Sequence, residues 1–210
     1  MKLLILGAAG LTGRELVNQA LAQGHAVTAF VRKPEEFGVE HDNLKVVQGD
    51  VTNYAAVERA VKDQDAVLCA LGSSTPLKRD STLIEGVRNI VRAMEQASVR
   101  RFIYLSFLGV HESRSQLSFL GKYIIAPLVM RNPAADHEVK ESIIKQSKLD
   151  WTIVRPPRLT KGRHTGVYRS GERIEAKSMV PTISRADLAD FMLQQLTDDT
   201  YLRKPPGVMY

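Results

Sequence analysis

The most restrictive feature of this chain is a buried-strand pattern that runs directly into spaced glycines. Residues Lys2–Leu6 are mostly apolar, and glycines follow at positions 7, 10 and 13. Apolar residues then recur at helical spacing up to Gln23, which predicts a helix. In such a strand–turn–helix unit the first glycine permits a tight turn, the second lets a pyrophosphate approach the backbone, and the third lets the helix pack on the strand. An ordinary turn is the alternative, but it does not require three glycines.

The rest of the chain repeats this alternation of strands and helices. Apolar runs predict further strands at 26–31, 44–48, 66–71, 102–106, 151–154 and near 179–183. Helical spacing predicts helices at 12–23, 53–62, 81–98, 133–147 and 184–197. Strands joined by helices of this length form right-handed crossovers, which produce a parallel sheet. We therefore predict a single α/β domain over residues 1–210, with a doubly wound, Rossmann-like parallel sheet.

Two stretches interrupt the alternation, residues 108–132 and 157–177. Each follows the predicted carboxyl end of a strand, where open α/β sheets bind their ligands. The first contains an apolar run at 119–130, and the second is rich in glycine and arginine. We predict that the two stretches form a small lid over the substrate.

The end of the second predicted strand indicates which dinucleotide binds. Sheets that bind NAD usually place an acidic residue about 20 residues beyond the glycines, where it binds the ribose hydroxyls. Here the strand ends in Arg32 and Lys33, and the first acid is Glu35. These cations can bind a 2′-phosphate, which an acid would repel. The pattern predicts NADP, with weaker NAD binding possible; a solvated basic turn is the alternative. Arg14 is either a further cation for this phosphate or an ordinary exposed helix residue.

Composition and charge restrict the partners. The formal net charge of +6 suits an anionic ligand, and no block of five like charges predicts a nucleic-acid tail. The one cysteine, Cys69, excludes an intrachain disulfide, and it occurs with no signal-peptide pattern, which indicates a reducing cytoplasm. No apolar run approaches the roughly 18–20 residues that span a bilayer. We predict a cytoplasmic monomer or weak homodimer that binds a small molecule, without nucleic-acid, membrane or metal partners.

Several segments along the chain together carry a family resemblance. They are GAAGLTG at 7–13, VR at 31–32, GDV at 49–51, DAVLCALG at 65–72, EGVRNIV at 85–91, VRPP at 154–157, TGVY at 165–168 and ISRADLADFM at 183–192. These segments resemble the atypical short-chain dehydrogenase/reductase group. Within that group the chain is similar to the flavin reductase and biliverdin-IXβ reductase branch and its bacterial NAD(P)H-binding relatives. The resemblance is more specific for a nucleotide-binding reductase fold than for a substrate.

Together with the glycine and cation patterns, the resemblance implies where the cofactor binds. The predicted cofactor-binding residues are Gly7, Ala9, Gly10, Leu11, Thr12, Gly13, Arg32, Lys33, Asp50, Val51, Ala70, Leu71, Gly72, Ser106 and Pro156. The glycine loop would hold the pyrophosphate and Arg32 the 2′-phosphate, while Asp50 and Val51 would line the adenine. Ser106 would lie beside the nicotinamide, with Pro156 packed near it.

The catalytic pair of typical short-chain dehydrogenases is missing. Those enzymes place a lysine four residues after a tyrosine, which lowers the tyrosine pKa so that it can act as an acid. None of the six tyrosines of this chain has a lysine at that position. Its absence argues against alcohol–ketone chemistry and against an epimerase. It favours acceptors that take a hydride without a strong protein acid.

Three residues are candidates for the reacting end of the site. Ser106 ends a predicted strand, where it would bond the nicotinamide or substrate, relay a proton from water, or simply satisfy the strand end. His137 resembles a histidine of the flavin reductase branch, although a surface histidine is the alternative. Arg158 stands where that branch more often has a histidine, so it is either a ligand for a phosphate or carboxylate or a solvated cation. We predict Ser106 and His137 as catalytic and Arg158 as substrate-binding.

The sequence therefore predicts an NADPH-dependent reductase that passes a hydride to a flat conjugated acceptor: a flavin, a quinone or a tetrapyrrole. The alternative is a non-catalytic NADP-binding redox sensor that regulates a partner, which the missing tyrosine–lysine pair would allow.

The variant Arg32→Glu tests the choice of cofactor. We expect it to weaken NADPH binding by about 1–3 kcal/mol more than NADH binding, because a charge-assisted bond to the 2′-phosphate becomes a repulsion. Titration calorimetry with both cofactors measures the difference. An equal loss for both would contradict the assignment of Arg32.

Overall fold

Six apolar strands form a parallel sheet in a computed structural model of the protein, which describes residues 1–72, 81–116, 131–176 and 178–210. The strands are β1 (Lys2–Leu6), β2 (Ala26–Val31), β3 (Leu44–Gln48), β4 (Ala66–Cys69), β5 (Arg101–Leu105) and β6 (Asp150–Val154). Their order across the sheet is β3-β2-β1-β4-β5-β6, with every pair parallel. This confirms the predicted doubly wound, Rossmann-like α/β fold. The order reverses between β1 and β4, the point at which such sheets bind ligands.

Helices cover both faces of the sheet. They are α1 (Leu11–Ala22), α2 (Tyr54–Val61), α3 (Ser81–Gln96), α4 (Arg131–Gln146) and α5 (Arg185–Gln194). Along β1 the side chains alternate between two cores: Leu3 and Ile5 pack with α1 and α5, while Leu4 and Leu6 pack with α2 and α3. Burial on both faces explains why the strands are almost continuously apolar rather than alternating.

Side chains at two helix starts explain where those helices begin. The Asn53 side chain accepts a hydrogen bond from the Ala56 N–H at 3.1 Å, which caps the start of α2. The Ser184 hydroxyl accepts one from the Asp187 N–H at 2.9 Å at the start of α5. The predicted helices otherwise differ from the observed ones by one to three residues at their ends.

The second half contains four short strands, of which sequence analysis missed three. The four are β7 (Arg158–Thr160), β8 (Arg169–Gly171), β9 (Thr182–Ser184) and β10 (Gly207–Met209). Strand β7 pairs with β9 in parallel, and β8 pairs with β10 in antiparallel fashion. Three-residue strands show no periodicity, so only their distant partners define them. The strand predicted near 179–183 is β9, which begins later than expected, and β4 ends two residues earlier than predicted.

The two stretches predicted to form a lid contact each other. The Gln116 side-chain amide donates to the Glu172 carbonyl at 2.9 Å, and Leu108 packs with Ile174 and Met209. The Leu108 N–H donates to the Pro156 carbonyl at 2.8 Å, so the first stretch starts beside the end of β6. Residues 117–130, including the whole of the predicted apolar run at 119–130, and Lys177 lie outside the described residues. The lid itself stays a prediction.

Three further features of the fold bear on expectations from composition. Cys69 is a free, buried thiol within β4, and burial raises its pKa to about 11. In the described parts of the chain, no helix has both the length and the apolar character needed to cross a membrane. The same residues contain no group of three or more His, Cys, Asp or Glu side chains that could hold a metal ion.

Candidate active site

A cavity of about 530 Å³ opens at the carboxyl ends of the strands where their order reverses. Its lining includes nine of the predicted cofactor-binding residues, namely Gly7, Ala9, Gly10, Arg32, Asp50, Val51, Ala70, Leu71 and Gly72. Six residues that were not predicted also line it, namely Phe30, Val31, Gly49, Ser81, Thr82 and Leu83. The other predicted residues, Leu11, Thr12, Gly13, Lys33, Ser106 and Pro156, lie outside this lining. The loop after β4 forms part of the wall, because β4 ends at Cys69 and the chain then leaves the sheet.

The three glycines of the first loop meet three different constraints. Gly7 has a φ of +79°, and a Cβ there would lie 2.6 Å from the Ala70 carbonyl oxygen. A Cβ on Gly13 would collide with the Gly7 carbonyl, so α1 can lie this close to β1 only without a side chain. Gly10 has an ordinary φ of −71°, and its nearest contact for a Cβ is at 3.2 Å, also the Gly7 carbonyl. Gly7 and Gly13 therefore shape the loop, whereas Gly10 leaves backbone exposed to the cavity.

The start of α1 is suited to an anion. Its N-cap residue, Gly10, has no side chain to accept from the first turn, and that turn contains no acidic residue. The first N–H groups of a helix have no acceptor within the helix, and they carry a partial positive charge. Leu11 is 59% exposed, while Thr12 and Gly13 are buried. Leu11 and Thr12 would therefore meet a ligand mainly through their backbone N–H groups. The loop fits a bound pyrophosphate.

Three cations gather beside the end of β2. Arg32 is exposed and lines the cavity. The Lys33 ammonium instead pairs with the Glu36 carboxylate at 2.5 Å. The Arg14 guanidinium donates to the carbonyls of Ala9 and Glu36, both at 3.3 Å, and lies 5.2 Å from the centre of the Phe37 ring. Arg32 is therefore the best placed of the three to meet a phosphate in the cavity.

Hydrogen bonds from Thr52 and Asn89 hold the part of the cavity wall that Asp50 and Val51 form. Thr52 donates two hydrogen bonds to the Asp50 carboxylate, from its N–H at 2.9 Å and its hydroxyl at 2.8 Å, and these lower the Asp50 pKa. The Asn89 amide of α3 donates to the carbonyls of Val51 and Thr52 at 3.0 and 3.1 Å. A Cβ on Gly86 would lie only 2.6 Å from the Val51 side chain. Sequence reasoning assigned no role to Asn89, although a polar residue between apolar helix positions was a visible signal.

Ser106 lies directly beyond β5, one strand further along the sheet from the cavity. Its N–H donates to the Val154 carbonyl at 2.8 Å, which ties it to β6. Tyr104 pairs with Cys69 in the sheet, so Ser106 follows β5 at the level at which Leu71 follows β4. Because Leu71 lines the cavity, Ser106 lies next to the part of the cavity that is formed by the residues after β4.

The Ser106 hydroxyl belongs to a buried network of charged groups. It donates to the Glu141 carboxylate at 2.7 Å, and His137 Nδ1 lies 3.3 Å from Ser106 Oγ. The Arg155 guanidinium donates to both oxygens of Glu141, from Nε at 3.1 Å and from Nη2 at 2.6 Å. Both Glu141 and Arg155 are almost completely buried. Arg155 also donates to the partly exposed Glu112 at 2.6 Å, which carries the network towards the surface.

His137 is neutral at physiological pH. Burial, followed by the charge of Lys140, lowers its pKa to about 3. Its ring packs between Tyr104 and the edge of Phe107, with ring centres 6.2 and 4.9 Å away. The structure brings the two residues predicted as catalytic together, but His137 cannot act there as a charged proton donor.

The two remaining candidates, Pro156 and Arg158, follow Arg155 in the chain. Arg158 is exposed and pairs with Thr182 as part of β7, rather than lying in an irregular loop. Pro156 is buried beside the start of the first predicted lid stretch. Sequence reasoning missed Glu141 and Arg155 as site residues. The signals were present: His137, Glu141 and Lys145 recur every four residues, and Arg155 follows an apolar strand.

Comparison with known proteins identifies the family. The sequence pattern of the NAD(P)H-binding family matches residues 7–199 of this chain. UPF0659 protein YMR090W of Saccharomyces cerevisiae is 30% identical over 207 residues, which cover 93% of this chain and 87% of the yeast protein. The chain belongs to the NAD(P)H-binding family.

Two reductases are also similar to the chain. The (4-alkanoyl-5-oxo-2,5-dihydrofuran-3-yl)methyl phosphate reductase of Streptomyces griseus is 29% identical over 154 residues, which cover 73% of this chain and 46% of that protein. The solved structure of ChuY, an anaerobillin reductase from Escherichia coli O157:H7, matches with a TM-score of 0.78 and 22% identity, covering 99% of this chain and 96% of that one. The second likeness shows a shared fold.

The glycine loop allows binding and folding to be tested separately. We expect Gly10→Val to lower affinity for either cofactor by more than about tenfold, because its side chain would occupy the space of the pyrophosphate. Its melting temperature should fall less than that of Gly13→Ala, since Gly10 has an ordinary φ and a Cβ there lies 3.2 Å from the Gly7 carbonyl oxygen, whereas a Cβ on Gly13 would collide with that oxygen. Calorimetric titration and thermal unfolding measure the two effects.

Gly13→Ala is the matched control, because its added methyl group meets backbone rather than cavity. We expect it to lower the free energy of unfolding by about 1–3 kcal/mol. Retained affinity in Gly10→Val would remove the loop from the binding site.

The low pKa of His137 predicts an acid-sensitive fold. The pKa of His137 is 6.5 in the unfolded chain and about 3 in the folded protein, so between these pH values only the unfolded chain binds the proton. The contribution of His137 to the free energy of unfolding is therefore present above pH 6.5 and is lost as the pH falls. Between about pH 7 and pH 5 the wild type should lose about 2 kcal/mol through this group alone. Urea unfolding at both pH values should show a loss smaller by that amount in His137→Gln. Identical losses in both proteins would mean that His137 is accessible and protonates normally.

Proposed function

We propose that the protein is an NADPH-dependent reductase that transfers a hydride to a flat conjugated acceptor, such as a flavin, a quinone or a tetrapyrrole. The observation that carries the proposal is the cavity, with the glycine loop and Arg32 on one side and the Ser106 network adjoining the other. We also infer that, within its family, the chain lies closest to the flavin reductase and biliverdin-IXβ reductase branch, as its sequence segments suggest.

The residues of the cavity fit a dinucleotide phosphate. The loop from Gly7 to Gly13 would bind the pyrophosphate through backbone N–H groups, and Arg32 would pair with the 2′-phosphate. Asp50 and Val51 would line the adenine, on a wall that Asn89 holds in place. When bound, NADPH would supply the hydride, and the chain would supply position and electrostatics. NAD would bind more weakly, because it offers Arg32 no phosphate.

The groups around Ser106 favour an acceptor that needs no strong protein acid. His137 is neutral, and Glu141 is a carboxylate that accepts hydrogen bonds from Arg155. Each reduction consumes one hydride and one proton, so water would supply the proton. A conjugated acceptor spreads the charge of the added hydride and can be protonated afterwards. Simple ketones require a proton in the same step, which this cluster does not provide.

The acceptor would lie beside the predicted lid stretches. Arg158 would bind an anionic group of the acceptor, such as a phosphate or carboxylate, because it follows the buried turn at Pro156 and is exposed. The Streptomyces griseus relative is a reductase of a phosphate ester, and the Escherichia coli protein is an anaerobillin reductase. These names support a reductase of small molecules, and the acceptor is our proposal.

Steady-state and single-turnover oxidation of NADPH tests the function. We expect turnover with at least one of FMN, menadione or biliverdin, and we expect Ser106→Ala to slow hydride transfer by about tenfold while leaving NADPH affinity nearly unchanged. Tight NADP binding without turnover of any of these acceptors would favour a redox sensor. An unchanged single-turnover rate in Ser106→Ala would make Ser106 a structural residue.

A further inference from the structure

Two acceptors compete for the one proton of the Ser106 hydroxyl. Glu141 Oε1 lies 2.7 Å from Ser106 Oγ, and His137 Nδ1 lies 3.3 Å away. Hydrogen bonds to an ionised acceptor are shorter and about twice as strong as those between neutral groups. The proton of Ser106 therefore points to Glu141.

The surroundings of Glu141 keep it in the charged form that only accepts hydrogen bonds. Arg155 binds both of its oxygens, and the Lys145 ammonium lies 3.4 Å from Oε2. His111 Nε2 is 4.0 Å from the same oxygen, and the buried Tyr104 also interacts with the Glu141 charge. An arginine stays protonated in proteins, and a buried guanidinium requires a charged partner. Glu141 thus has no proton to return to Ser106.

The direction of the Ser106 proton decides the state of His137. With its own proton used, Ser106 Oγ can only accept from His137, so Nδ1 must carry the hydrogen. A neutral imidazole has one N–H group, which leaves Nε2 without a proton. Of the two lone pairs of Ser106 Oγ, one then receives the His137 N–H, which leaves the oxygen the capacity to accept one further hydrogen bond.

We propose that Glu141, held by Arg155, is a positioning residue that fixes Ser106 as a hydrogen-bond acceptor, so that the site selects a ligand that presents an N–H donor. The kind of ligand rests on the proposed function. The donor is either the carboxamide N–H of the nicotinamide or an N–H edge of the acceptor. Flavins and tetrapyrroles carry such N–H groups, whereas quinones offer only carbonyl oxygens. If the donor belongs to the acceptor, the proposal ranks flavins and tetrapyrroles above quinones.

The tautomer of His137 is a direct readout that needs no turnover. Nitrogen NMR of the imidazole distinguishes Nδ1–H from Nε2–H, and loss of one signal in His137→Gln assigns it among the five histidines. We expect Nδ1–H in the wild type. In Glu141→Gln, the new amide can donate to Ser106, so its hydroxyl turns to His137 and the tautomer changes to Nε2–H. An Nε2–H tautomer in the wild type would overturn the proposal.

Binding measurements identify the donor. We expect Ser106→Ala to weaken FMN binding to the NADP-loaded protein by about tenfold and menadione binding by less than about twofold, as the loss of one hydrogen bond predicts. In Glu141→Gln the Ser106 oxygen can still accept a hydrogen bond, so FMN affinity should change less than in Ser106→Ala. If the donor is the nicotinamide carboxamide, NADP affinity falls instead, and FMN and menadione respond alike. Losses confined to menadione, or no loss for any ligand, would refute the selection of an N–H donor.

Glu112→Gln is the matched control, because Glu112 binds Arg155 at the surface and does not touch Ser106. It should change neither the tautomer nor the affinities. Ser106→Ala keeps the Glu141–Arg155 pair, so it decides the binding question even if Glu141→Gln fails to fold. Absence of turnover in the wild type would refute the proposed reductase, whereas the NMR and binding results decide the role of Glu141 separately.

Discussion

The contact between Gly13 and the Gly7 carbonyl is the constraint on which the site depends. It brings the start of α1 against the end of β1, because no side chain separates the two. The helix can then bury Leu16 in the same core as Leu3, while its first N–H groups point out at the carboxyl edge of the sheet. One close backbone approach therefore serves both packing and anion binding. Gly10, which lies between the two in sequence, is not needed for this contact and lines the cavity instead.

A buried ion pair plays the corresponding part at the other end of the site. Glu141 and Arg155 join α4 to the end of β6, and Ser106 of the neighbouring strand is bonded to the carboxylate. Removing such charges from water costs several kcal/mol, and their attraction rarely returns much more than that. The pair is therefore better understood through the geometry it imposes on Ser106 than through stability. The neutral state of His137 follows from the same burial.

Much of the fold was predictable because its signals are local. Strands buried on both faces appear as apolar runs, and the parallel order follows from the helices between them. The cofactor loop was predictable for the same reason, since its glycines are adjacent in sequence. Three of the four short strands of the second half were missed, because each contains three residues and depends on a partner that is far away in the chain. Beside the end of β2, sequence alone could not show that Lys33 pairs with Glu36 whereas Arg32 lines the cavity.

The sequence by itself determined the doubly wound sheet and the anion-binding loop, since apolar periodicity and glycine spacing act within about 20 residues. Only the tertiary structure decided the state of the reacting end. Ser106 and Glu141 are 35 residues apart, and Arg155 lies 14 residues further on. Whether a serine donates or accepts depends on which charge the fold places beside it. The fold places a carboxylate there and keeps it ionised with an arginine from the next strand.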